Sequence, residues 1–95
     1  MQTEFYTYLA RCGLQAQQYQ FSICRISSYY RIYLEKIPDY RDRNRDLRIV
    51  HCYMDIQNRP YICWTEPIRS VEDAKKIARA WADRTQNYIC TGICF

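Results

Sequence analysis

Glycine is scarce in this sequence of 95 residues, occurring only at Gly13 and Gly92. That excludes a glycine-rich phosphate loop and a nucleophile elbow, which both need glycines at fixed offsets. Proline occurs only at Pro38, Pro60 and Pro67, and no segment is compositionally biased, so little of the chain reads as linker or disorder. The only histidine is His51. Its neighbour Cys52 points to the opposite face if both lie on a strand, so the pair does not share an ion. Cys90 and Cys94 are spaced CxxxC, without a CxxC knuckle or a second pair, which predicts no metal centre and no cofactor. No apolar run approaches the roughly 20 residues needed to cross a bilayer. The opening MQTEFYTYLARCG has neither the basic region nor the apolar core of a signal peptide. A cytoplasmic chain making no membrane contact is expected. Its six cysteines, set among Ile, Val, Tyr and Met, are then reduced and behave as small hydrophobes.

What is present is arginine and tyrosine. Of 14 basic residues only Lys36, Lys75 and Lys76 are lysines, and there are 10 tyrosines against a net charge of +4. Arginine and tyrosine combine large contact area with directed hydrogen bonds and are enriched where proteins meet partners. A hydrophobic fraction of 48% and a charged fraction of 25% are ordinary for a folded protein. The length suits one domain over residues 1–95.

Along the chain, Phe5, Tyr8, Leu9 and Cys12 fall at i, i+3, i+4 and i+7, which predicts a helix over Thr3–Cys12 ended by Gly13. From Tyr19 the period becomes two, predicting a hairpin of Gln18–Ile26 with Tyr29–Ile37 around Ser27-Ser28. The stretch PDYRDRNRDLR then alternates acids with Arg41, Arg43, Arg45 and Arg48 and reads as a solvated loop. LRIVHCYMDI is β-rich on both faces and predicts a covered strand. QNRP turns the chain into a fourth strand, YICWTE. Ser70 is a helix cap, followed by a stripe of Val71, Ala74, Ile77, Ala78 and Trp81, which predicts a helix to about Gln86. The closing YICTGICF reads as a short edge strand with Gly92 as a bulge. The expected fold is α+β, a single domain of order α-β-β-β-β-α. Its antiparallel sheet has four strands, five with the tail, and carries both helices on one face.

No pattern of catalytic residues appears, and Asp39, Asp42 and Asp46 are interleaved with arginines, so the chain is expected not to be an enzyme. The leading expectation is a regulatory or inhibitory protein that binds another protein, or a second copy of itself as a homodimer. Tyr29, Arg31 and Tyr33 lie on the expected open sheet face, with Tyr40, Arg41, Arg43, Arg45 and Arg48 in the loop. Exposed edges, YICTGICF or YICWTE, offer strand addition. The alternative is a nucleic-acid-binding module: the loop arginines and the helix cluster Lys75, Lys76 and Arg79 face phosphate, while the tyrosines stack on bases. SVEDAKKIARAW, with its Lys-Lys pair and alanine stripe, resembles the start of the last helix of double-stranded-RNA-binding domains. The helix–strands–helix order is similar too, and the resemblance implies RNA contact through Lys75 and Lys76. Glu72 and Asp73, where that family has lysines, and the fourth strand depart from it.

Overall fold

A computed structural model of the chain describes residues 3–95. Its elements are β1 (Thr3–Cys12), β2 (Gln15–Ile26), β3 (Tyr29–Leu34), α1 (Leu47–Val50), β4 (Cys52–Met54), β5 (Pro60–Ile62) and α2 (Val71–Thr91). One antiparallel sheet of order β1-β2-β3-β5-β4 carries α2 on one face. The radius of gyration is 12.9 Å, close to the roughly 12 Å expected for a compact domain of this length.

The N-terminal helix expected over Thr3–Cys12 is a strand. Phe5, Tyr8, Leu9 and Cys12 satisfy a helical period, but Tyr6, Tyr8 and Ala10 also alternate. The alternation wins because β1 pairs with β2 without interruption, from Thr3↔Cys24 to Cys12↔Gln15. Gly13, at φ +61°, closes this hairpin as the first residue of a two-residue turn. The second hairpin follows the expectation more closely, with β2 and β3 paired from Phe21↔Leu34 to Ile26↔Tyr29. With an initial strand in place of a helix, the order likened to double-stranded-RNA-binding domains is not the order of this chain.

The side chains of β1, β2 and β3 that point toward α2 form the core: Ala10, Tyr19, Phe21, Ile23 and Ile32 are buried, with Tyr6 and Tyr8 packed beside them. Ala74, Ala78 and Ala82 are fully buried on α2, and their small size lets the helix lie close to the sheet. Trp81 fills the space between. Its ring meets Tyr19 edge-on at 6.0 Å and Phe21 at 6.1 Å, and its Nε1 donates to the Val50 carbonyl at 2.9 Å. Such edge contacts add about 0.5–1.5 kcal/mol beyond area burial. Gln86 is the polar centre of this layer, accepting from the Tyr19 hydroxyl at 2.8 Å and Gln17 Nε2 at 3.1 Å.

Further expectations change. The strand expected over LRIVHCYMDI is interrupted: Asp46 accepts from Arg48 N at 2.9 Å and caps the short helix α1, and His51 turns the chain in a left-handed conformation at φ 58°. Only Cys52–Met54 then pairs, and of YICWTE only Tyr61 and Ile62 lie in the paired strand. The C-terminal helix begins as expected, with Ser70 accepting from Asp73 N at 3.1 Å. It runs past Gln86 to Thr91, because Tyr88 and Ile89 continue its buried stripe. The expected closing strand is therefore helix, and Gly92 is not a bulge but the left-handed cap at φ 77°, donating to the Tyr88 carbonyl.

Candidate functional site

The sheet face away from α2 carries one row of side chains across all five strands: Phe5, Ser22, Tyr33, Tyr61 and Tyr53 stand in register. Tyr33 and Tyr61 lie 5.6 Å apart between ring centroids, and Tyr61 and Tyr53 5.7 Å apart, all tilted. Two guanidinium groups interleave with these rings. Arg31 sits 4.2 Å above the Tyr61 ring and donates to the Tyr33 hydroxyl at 3.1 Å. Arg59 sits 4.3 Å above the Tyr33 ring and is held from behind by Asp55 at 3.3 Å.

Local chain geometry places each of these groups. Asp55 accepts from Gln57 N at 2.8 Å and Arg59 N at 2.9 Å, forming the turn that returns β4 into β5. Asn58 adopts φ 60° at its tip. The turn sets Tyr53 opposite Tyr61 and brings Arg59 back over Tyr33. The backbone bond from Arg59 holds the Asp55 carboxyl below its ordinary value, against a smaller opposing effect of burial. The bond to Tyr33 raises the Arg31 guanidinium further, against a smaller opposing effect of burial. Beside the row, β3 and β5 separate before Tyr30 bridges to Ile68. The gap is a cleft of about 280 Å³ walled by Tyr29, Tyr53, Trp64 and Glu66, with Arg31 and Tyr61 between them.

The expected site residues fall into separate places. Tyr29, Arg31 and Tyr33 do share the open face, though Tyr33 is 3% exposed, under Arg59. Tyr40 is not a surface residue; it is buried in the core. The loop expected to be solvated is partly tied to the fold. Arg43 donates to the carbonyls of Ile89 at 3.1 Å and Cys90 at 3.4 Å and clasps the end of α2, and Tyr88 donates to Asn44 O at 2.7 Å. Arg41, Arg45 and Arg48 stay exposed, Arg48 beside Asp46 at 3.5 Å. The helix cluster is divided as well: Lys75 pairs with Glu4 at 2.6 Å and Arg79 donates to the Tyr6 hydroxyl at 3.0 Å, while Lys76 points to solvent. Tyr53, Arg59, Tyr61 and Trp64 were not singled out from the sequence. The signal available was a tyrosine on each side of the DIQNRP turn.

All six cysteines are free thiols, and among the described residues no three His, Cys, Asp or Glu side chains are grouped to hold a metal. No helix among the described residues is long and apolar enough to cross a membrane. The chain matches no known protein family, no curated protein and no solved structure.

Proposed function

We propose that the protein is a small non-enzymatic regulatory or inhibitory module that binds another protein through its Arg/Tyr sheet face. The observation that carries this reading is the interleaving itself. Arg31 and Arg59 already cover the faces of Tyr61 and Tyr33, so those two rings are not free to stack on bases. The N–H groups of Arg31 and Arg59 beyond those bonded to Tyr33 and Asp55 can meet carboxylates and carbonyls, groups a protein partner supplies. Rings and guanidinium groups fixed before contact also lower the ordering cost of binding. Exposed Tyr53 and Trp64, at 51% and 45%, are the apolar anchors at the rim of the cleft. The reading includes a cytoplasmic setting, in which thiols stay reduced.

The test begins with affinity capture from the native cell, followed by calorimetric titration of the captured protein. Arg31→Glu and Tyr53→Ala should each weaken that complex by at least about tenfold, the range of interface anchors. Unchanged affinity in both variants removes the face from consideration. Labelled single- and double-stranded RNA and DNA are titrated in parallel. Micromolar binding that falls steeply with salt, and is lost on replacing Arg41, Arg45 and Arg48, supports the nucleic-acid alternative instead.

A further inference from the structure

We infer that β1 is a self-association edge, on which a second copy adds its own β1 antiparallel about Thr7 and joins two sheets into one. This inference does not depend on the partner bound by the Arg/Tyr face.

The two edges of the sheet differ in kind. The outer edge of β4 is three residues long, short enough to resist pairing. β1 is ten residues long, pairs with β2 without a bulge and contains neither proline nor lysine; its two charges, Glu4 and Arg11, stand near its ends and leave Phe5–Ala10 uncharged. Cys12 and Gln15 close a two-residue turn and form its hydrogen-bonded pair. Alternation along the ladder then turns the N–H and C=O of Thr3, Phe5, Thr7, Leu9 and Arg11 outward. Placing the two-fold axis at Thr7 sets outward residues opposite outward residues and keeps both faces in phase.

The side chains agree with that register on both faces. On the open face, Phe5 is 70% exposed and Leu9 46% exposed, each two positions from Thr7. About the axis, Phe5 of each copy meets Leu9 of the other, and two exposed apolar pairs cover one another. On the helix face, Tyr6 of one copy meets Tyr8 of the other. Arg79 donates to the Tyr6 hydroxyl, and the Tyr8 hydroxyl donates to Asp83 at 2.9 Å. The axis therefore brings Arg79 of each copy toward Asp83 of the other, and the charges complement twice, as an isologous contact requires. The joined sheet presents two Arg/Tyr faces on the same side.

Sedimentation velocity tests this on the full chain. Wild type loaded at about 100 μM is expected to weigh twice 11.6 kDa. Leu9→Lys is expected to raise the dimer dissociation constant at least about tenfold, and Thr7→Pro, which removes an outward N–H and no bond to β2, about a hundredfold. Arg79→Asp alone should weaken the dimer about tenfold, and adding Asp83→Arg should restore it to within about threefold of wild type. A monomer at that loading overturns the inference. So does an unchanged dissociation constant in both Leu9→Lys and Thr7→Pro, or failure of the charge-swapped pair to recover.

Discussion

Tyr-Ile-Cys occurs twice in this chain, each time shortly after Gln-Asn, and the two copies fold oppositely. Tyr61-Ile62-Cys63 enters β5 and leaves it at Ile62; Tyr88-Ile89-Cys90 lies in the last turns of α2. In the strand copy, side chains alternate: Tyr61 joins the open face while Ile62 is buried against the core. In the helical copy both Tyr88 and Ile89 are buried, Tyr88 reaching the Asn44 carbonyl. The flanks decide. Asp55 ties a turn before the first copy, and Pro60 directly precedes it and lacks the N–H a helix interior needs. The second copy continues a helix already capped and buried from Ser70 onward. Isoleucine and tyrosine favour strands by under about 1 kcal/mol, whereas burying an isoleucine contributes about 1.5–3 kcal/mol. Burial therefore overrules local preference.

The largest effect should come from Ile89→Pro, which removes a helical hydrogen bond and a buried side chain together. A loss of at least about 3 kcal/mol is expected in urea unfolding followed by circular dichroism. A smaller loss would mean that the end of α2 is not joined to the core. Next, Ile62→Ala and Ile89→Ala should each cost about 2–4 kcal/mol despite their different backbones, since both sites are 4% exposed. If the two differ by more than about 1 kcal/mol, secondary structure matters beyond burial. Tyr88→Phe loses its bond to Asn44 and should cost about 1 kcal/mol, while Tyr61→Phe should stay within about 0.5 kcal/mol of wild type.

The last contrast is silent at neutral pH. Cys52, paired with Ile62 of the strand copy, is pushed by burial from 9.0 up to about 12. Between those values the folded protein keeps a proton that the unfolded chain has lost. This contribution is complete below pH 9.0 and disappears as pH rises toward about 12. Burial also raises Tyr19 and Tyr40, which act in the same direction. Unfolding measured across that range should show a shallower decline in Cys52→Ala than in wild type, and parallel curves would contradict the assignment.

The β2–β3 hairpin and the start of α2 were legible because each carries a single, unambiguous period and its own turn or cap. β1 carries two periods at once, and only the partner strand, visible in three dimensions, selects between them. α1 was hidden in a β-rich run because one capping aspartate and one left-handed histidine outweigh composition. The open face was legible at Tyr29, Arg31 and Tyr33 and invisible at Arg59 and Trp64, whose positions follow from a turn and a cleft rather than from any periodicity. Arg43 reads as one of a run of charges; that it closes a helix end depends on residues 46 positions away.

The contacts between β1 and α2 span the chain: Tyr8 bonds to Asp83 and Arg79 to Tyr6. During synthesis the β1–β2 hairpin emerges well before the helix that covers it. At about 5–20 residues per second, the stretch between Ile26 and Val71 takes roughly 2–9 s to make. β3 can close the β2 edge early in that interval, but the face of Tyr19, Phe21 and Ile23 that α2 covers stays open to water. The core therefore closes only once α2 has been made.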